Sequence, residues 1–312
     1  MMSISSEHLS RADERLAVSE TEAHRSSRVL LGLVGAGIQG SLTPTMHERE
    51  GDAQGLRLLY QKIDLDRLGL GPEALAELLE AAERMGFTGL NITHPCKQAV
   101  IPHLHELSPD AEALGAVNTV VLRDGRRVGH NTDWWGFAES FRRNLPGVSL
   151  ERVVQLGAGG AGAAVAHALL TLGAGELAVS DVDLVRAETL ATALCARFGA
   201  GRARASGDLA ADTAQANGLV NCTPMGMDAH PGLPLPPALL HPALWVADIV
   251  YFPRETALLR EARQIGCRTL DGGGMAVFQA VGAFRHFTDR EPDAVRMLSH
   301  FAELGEGPGT AA

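Results

Sequence analysis

Aromatic residues are scarce in this chain. Phe, Trp and Tyr make up 4% of its 312 residues, too few for the stacking platforms that grip single-stranded nucleic acid. Positive charge is also in deficit. Lys and Arg number 27 against 37 Asp and Glu, and the net charge of −10 argues against non-specific binding to nucleic acid or an anionic membrane. The four cysteines, Cys96, Cys195, Cys222 and Cys267, are far apart and form no C-x-x-C pair, so neither a zinc site nor a disulfide framework is indicated. Cytoplasm is the simplest compartment. Cys96 stands beside Lys97, which could acidify its thiol, but nothing else marks it as a nucleophile. No apolar run approaches a membrane span, and no membrane contact is expected. Residues 1–27 lack the apolar segment of a signal peptide and read as a mobile tail. Among 12 histidines, including His47, His94 and His130, no metal-ligand spacing stands out, and no metal is expected.

The composition is that of a globular protein, 46% hydrophobic and 21% charged. Its length suggests two domains, since single cores stop growing near 250–300 residues. Residues 28–35 read as a short buried strand. The G-A-G-I-Q-G that follows fits G-x-G-x-x-G, but its context is wrong for a dinucleotide loop. Thr43-Pro44 reads as a helix N-cap followed by a first-turn proline, so the helix starts after the glycines. A second strand, L-L-Y-Q-K-I-D-L, precedes an amphipathic helix over 72–85 with Gly86 past its end. G-F-T-G-L-N-I-T reads as a third strand, and a helix is expected over 97–106. Two extended runs then flank Asp124-Gly125, a hairpin signal. Strands alternating with helices make the fold α/β.

Helix is expected from Trp134 to Asn144, with a domain crossing near Pro146-Gly147. Beyond it the glycines find their proper setting. Strand residues 152–156 run into Gly157-Ala158-Gly159-Gly160-Ala161-Gly162, an alanine-rich helix continues at once, and the next strand ends on Asp181, 24 residues after Gly157. Such glycines let a pyrophosphate approach a helix N-terminus, where free N–H groups and the helix dipole favour its charge. A bare strand–helix turn is the bland alternative. A carboxylate at Asp181 suits ribose hydroxyls and repels a 2′-phosphate, which predicts NAD over NADP. Arg186 complicates that choice, since it could reach a phosphate, although a residue at a helix start is more often solvated. Further on, G-L-V-N-C-T-P-M-G-M and H-P-A-L-W-V-A-D-I-V-Y-F-P read as strands whose end loops would face a nicotinamide. Gly272 to Gly274 read as a tight turn before an apolar helix, Met275 to Phe287, that carries Gln279, a residue equally at home on a surface turn.

Two stretches invite a chemical reading. N-I-T-H-P-C-K-Q places Lys97 after a strand, and G-H-N-T-D-W-W-G places Asp133 after another. Taken singly, a loop lysine and a helix-capping aspartate are the blander explanations. Together they predict an ammonium and a carboxylate converging on one small hydroxyl-bearing substrate, beside a dinucleotide that takes its hydride.

Eight ordered motifs carry a resemblance over about residues 30–300: S-L-T-P-x-M-H, N-I-T-H-P-x-K, G-A-V-N-T, N-T-D-x-x-G, G-A-G-G-A-G, N-x-T-P-M-G-M, D-I-V-Y-x-P and D-G-G-G-M-A-V-x-Q. In these the chain resembles the shikimate/quinate dehydrogenases. The resemblance implies two domains with a cleft between them: a substrate-binding domain from residues 28–133 and 276–312, and a Rossmann-like NAD-binding domain from 134–275. It implies Lys97 and Asp133 as the catalytic pair. Ser41, Thr43, Thr93, Asn118, Tyr251 and Gln279 would join them around the substrate, Ser41 and Thr43 on its carboxylate, Asn118 and Gln279 on ring hydroxyls. Gly157, Ala158, Gly159, Gly160, Ala161, Gly162, Asp181, Arg186, Thr223, Met225, Val250 and Gly272 fall on the cofactor side. Thr43, where shikimate-preferring NADP enzymes commonly have serine, and Asp181, where they commonly have an arginine-bearing loop, resemble the NAD-dependent quinate/shikimate branch. The expected activity is reversible oxidation of quinate or shikimate to the 3-dehydro ketone, with a homodimer possible. Rivals are an NADP-dependent shikimate or aminoshikimate dehydrogenase, a folate-type dehydrogenase of similar architecture, and a non-catalytic sensor of quinate-like effectors. The sensor reading is disfavoured because Lys97 and Asp133 are both present and no basic segment is.

Overall fold

The computed structural model describes residues 28–305; the tail expected over 1–27 and the last residues, 306–312, lie outside them. Two six-stranded sheets organise the chain. In the first, β1 (Arg28–Gly35) lies between β2 (Arg57–Asp64) and β3 (Gly89–Ile92), parallel to both. β5 (Thr119–Arg123) then pairs antiparallel with β3 and forms a hairpin with β6 (Arg126–His130). Asp124 and Gly125 both adopt positive φ, as a two-residue hairpin turn demands. A two-residue strand, β4 (Glu106–Leu107), closes that edge.

The second sheet is wholly parallel: β7 (Arg152–Leu156), β8 (Glu176–Ser180), β9 (Ala203–Ala205), β10 (Gly218–Asn221), β11 (Trp245–Asp248) and β12 (Arg268–Leu270), in the order β12-β11-β10-β7-β8-β9. The order reverses between β7 and β10. In such sheets the crevice at the carboxyl ends of these two strands is where ligands bind. The glycine turn after β7 opens there.

Two helices join the sheets. Asp133–Asn144 packs Phe137 and Phe141 into the core of the second sheet, with Phe141 edge-on to Trp245. Gly273–Thr288 packs Phe284 and Phe287 under the first. The helices cross closely because small residues meet there. A Cβ on Gly136 would stand 2.6 Å from the Gln279 nitrogen, and one on Gly274 would collide with Ser140 Oγ. Both expected domain boundaries, 133/134 and 275/276, thus fall inside the first turns of continuous helices.

Several local expectations need correction. Thr43 is not an N-cap; it is the first residue of helix Thr43–Ala53, preceded by Leu42 in helical conformation. Gly273 and Gly274 belong to the helix rather than to a turn before it. The helix expected over 97–106 is a single α-turn, Cys96–Ala99, followed by a 3₁₀ turn, Ile101–His103, because Pro102 cannot donate an interior hydrogen bond. The resemblance implies a C-terminal helical return to the first domain without placing its helices, and the structure supplies one as Ala294–Gly305. It packs against Thr43–Ala53, where buried Glu50 accepts two hydrogen bonds from Arg296, both at 2.8 Å. No described helix is long and apolar enough to cross a membrane.

Candidate active site

A cleft of about 520 Å³ opens between the two sheets. On one side, β3 hands the chain to the Cys96–Ala99 turn, where Cys96 and Val100 are sunk in the core and hold Lys97 at the cleft wall. On the other, β6 ends at His130 and Asp133 opens the next helix. The two side chains meet: Lys97 Nζ donates to Asp133 Oδ2 at 2.6 Å, with side-chain exposures of 24% and 10%. The second carboxylate oxygen accepts from Asn118 Nδ2 at 2.9 Å, and Asn131 Oδ1 accepts from the Asp133 N–H. A largely desolvated ammonium–carboxylate pair is therefore aimed into the cleft from separate loops.

Asn118 lines the cleft with its amide engaged by its neighbours. Its Nδ2 donates to Asp133 and Thr132, and its Oδ1 accepts from the Thr132 N–H and Thr119 Oγ1. Two donors and two lone pairs exhaust the amide. In this arrangement it holds Asp133 in place.

Ser41, Thr43, Thr93, Tyr251 and Gln279 all line the same cleft. Ser41 Oγ accepts from the Thr43 N–H. Leu42, the N-cap of helix Thr43–Ala53, offers no side-chain bond and no acid stands in the first turn, so apart from Ser41 Oγ the positive helix end faces the cleft without a counter-charge, which suits a carboxylate. Desolvation of the phenol at the cleft wall, then the Asp133 charge, push Tyr251 above its usual range, so the hydroxyl keeps its proton at neutral pH although the residue is 40% exposed. Gln279 Nε2 donates back to its own helix at Ala276. The sequence reading missed Asn91, Met227, Phe252, Met275 and Phe301, which also line the cleft. Phe301 comes from the C-terminal helix, and the apolar residues gave no local signal of exposure to a ligand.

The glycine turn has the form a diphosphate needs. Gly157 has φ +98°, and a Cβ there would stand 2.9 Å from the Cys222 carbonyl. A Cβ on Gly162 would collide with the Gly157 oxygen, whereas Gly159 and Gly160 face open space at the N-terminus of helix Gly160–Thr171. Gln155, which no motif singled out, staples the turn by donating 2.9 Å hydrogen bonds to the Gly157 and Gly162 carbonyls. Asp181 is tied to the turn as well, accepting from Ala158 N–H at 2.7 Å and from Asp183 N–H at 2.9 Å. Arg186 is an exposed residue paired with Asp183 at 3.3 Å. These residues fit a dinucleotide.

Of the cofactor-side residues, only Ala161 and Gly272 reach the cleft itself. Gly157, Ala158, Gly159, Gly160, Gly162, Asp181, Arg186, Thr223 and Met225 lie beyond its lining. Val250 is likewise absent from the lining. Its side chain is buried, 6% exposed, and its N–H donates to Asp248, while Ile249 lines the cleft in its place. Gly272 is required because any Cβ would collide with the Ile249 carbonyl.

Residues 33–120 match the family model for the shikimate dehydrogenase substrate binding domain. Shikimate dehydrogenase (NADP(+)) of Streptomyces avermitilis is 65% identical over 285 residues, 91% of this chain and 97% of that protein. Quinate/shikimate dehydrogenase (NAD(+)) of Corynebacterium efficiens is 50% identical over 279 residues, 88% of this chain and 98% of that one. The solved structure of quinate dehydrogenase from Corynebacterium glutamicum in complex with NAD superposes with a TM-score of 0.84 at 48% identity, covering 88% of this chain and 99% of its own. The cleft, its ion pair and the glycine turn accordingly sit in a chain that belongs to the shikimate dehydrogenase family.

Proposed function

We propose that this protein is an NAD-dependent quinate/shikimate dehydrogenase that oxidises a ring hydroxyl of quinate, shikimate or both to the 3-dehydro ketone, reversibly. The observation that carries the reading is the 2.6 Å Lys97–Asp133 contact inside a cleft beside the glycine turn. Residues 28–133 together with 276–305 form the substrate side, and 134–275 the dinucleotide side. Gly157 to Gly162 hold the diphosphate, and the bound nicotinamide supplies the hydride acceptor. Lys97 and Asp133 bracket the reacting hydroxyl and take its proton as the C–H hydride departs. In reduction the Lys97 ammonium polarises the ketone and the pair returns the proton. They act as a unit, so neither is assigned the proton alone. Oxidation releases a proton and speeds up toward alkaline pH. Ser41, Thr43 and the helix end behind them take the substrate carboxylate, while Tyr251 and Gln279 face the ring from the opposite wall.

Asp181 supports NAD. Its charge at the mouth of the turn opposes a 2′-phosphate, and Arg186 is already paired with Asp183. An NADP-dependent shikimate dehydrogenase is the second reading, favoured by the 65% identity to the Streptomyces avermitilis enzyme. Assaying quinate and shikimate with each dinucleotide separates the two; a clear preference for NADP defeats the Asp181 argument. Lys97→Ala should lower turnover by about 10²–10⁴-fold, the usual contribution of a positioned acid–base group, with dinucleotide affinity nearly unchanged. Near-normal turnover in that variant removes Lys97 from the mechanism.

A further inference from the structure

Asp248, at the end of β11, is 1% exposed, and its carboxylate accepts hydrogen bonds only from neutral groups. Oδ1 takes Asn221 Nδ2 at 2.9 Å and Val250 N–H at 3.1 Å; Oδ2 takes Thr256 Oγ1 at 2.8 Å. Burying a carboxylate with no cation beside it is costly, and burial pushes its pKa up to about 6. The arrangement is understandable if the group directs its neighbours. A carboxylate only accepts, so Asn221 must turn Nδ2 toward it. That same Nδ2 also reaches the Met225 carbonyl at 3.0 Å, and Asn221 Oδ1 is left to accept from Thr223 N–H and Oγ1, at 3.0 and 2.7 Å. With its proton spent on Asn221, Thr223 Oγ1 accepts from Met225 N–H at 3.2 Å. One acceptor thereby sets the direction of the side-chain bonds that hold Thr223 and Met225, at the start of the loop that carries Met227 into the cleft. Through Val250 N–H it also sets the segment that presents Ile249, Tyr251 and Phe252.

We propose that Asp248 is a positioning residue that orients both cleft-lining loops of the dinucleotide side, and so fixes where the cofactor sits against the substrate wall. The inference rests on the dinucleotide reading above. Its test measures binding as well as turnover, so that the two can fail separately.

Asp248→Ala removes the acceptor. NAD and NADP affinity by titration calorimetry should fall at least tenfold, with a matching rise in dinucleotide KM and a larger deuterium isotope effect on oxidation. Asp248→Asn can keep Oδ1 on Asn221 and Val250 while its amide donates to Thr256, and should bind dinucleotide within about threefold of the parent. Thr256→Val removes the bond to Oδ2 and the side-chain cap of the following helix, leaving the Oδ1 bonds to Asn221 and Val250 in place. It should lower Tm without moving affinity or KM. A purely structural Asp248 would instead lower the active fraction, reducing kcat with KM, affinity and isotope effect unchanged, and that result overturns the proposal. Unweakened binding by Asp248→Ala also overturns it. A parent protein that binds dinucleotide but oxidises neither quinate nor shikimate would overturn the substrate reading alone, and weaker binding by Asp248→Ala would still support the positioning role.

Discussion

Replacing Gly136 by alanine tests how the two lobes are joined. The added methyl would stand 2.6 Å from the Gln279 nitrogen, 2.8 Å from the Met275 oxygen and 3.1 Å from the Gln279 Cα, all of them backbone atoms. No side chain can rotate away, so the helices Asp133–Asn144 and Gly273–Thr288 must part by roughly 0.5–1 Å to restore carbon contact near 3.5 Å. Overpacking of this kind costs about 1–3 kcal/mol, and the better helix propensity of alanine returns close to 1. The net loss, about 0–2 kcal/mol, should lower Tm by only a few degrees. Activity should suffer far more. Gly136 lies one turn from Asp133, and Met275, Ala276 and Gln279 on the other helix also line the cleft, so the shift displaces Asp133 relative to them. A displacement near 1 Å can cost about 10²-fold. Thermal melts and steady-state oxidation of quinate and shikimate give both numbers. Gly207→Ala, where an added methyl meets nothing within 4 Å, is the control. If Gly136→Ala keeps parental turnover and Tm, the helices do not cross as tightly as described and the joint does not set the cleft.

His47 is fully buried, and burial pushes its pKa down to about 4 from 6.5. The unfolded chain therefore takes a proton that the fold refuses, and stability is lost as pH falls from about 6.5 toward 4, at up to ~1.4 kcal/mol per unit. His130 and His167 act in the same direction; Asp248, raised to about 6, opposes them. Urea midpoints at pH 7 and pH 5 should converge in His47→Gln, and an undiminished difference would exonerate His47. Glu50→Gln turns one acceptor of Arg296 into a donor, and the bridge between the C-terminal helix and Thr43–Ala53 should weaken by roughly 2 kcal/mol, since Arg296 is partly solvated. Hydrogen exchange should then accelerate selectively in Ala294–Gly305; uniform protection would refute the account. Asp181→Ala should lower the NAD-to-NADP ratio of kcat/KM by about tenfold or more, and an unchanged ratio would locate cofactor choice elsewhere.

What could be read from the chain was local. The β7–glycine–helix–β8 unit is legible because its signal, strand, glycines, helix, strand and acid, lies within some 30 contiguous residues. The Asp124-Gly125 hairpin is legible for the same reason. Short β4, β9 and β12 were missed, because strands of two or three residues have too few alternating positions to show a period, and their pairing comes from the neighbouring strand. The C-terminal helix is implied by the resemblance but not placed, although its pattern is amphipathic. What it packs against, Glu50 and the Thr43–Ala53 helix, lies more than 240 residues earlier.

The sequence by itself determined the α/β class, the site of the glycine turn and which residue types stand at the ends of which strands. All of these follow from backbone sterics and periodicity over a few neighbouring residues. Tertiary structure alone decided that Lys97 reaches Asp133 across 36 positions and that Asn118 spends its whole amide on holding that carboxylate. It also decided that Ile249 rather than Val250 meets the cleft, and that Phe301 helps to close it. Those outcomes depend on how two sheets are docked through three small residues, Gly136, Gly274 and Ser140, and a docking distance of that kind is a property of packed surfaces that no local pattern encodes.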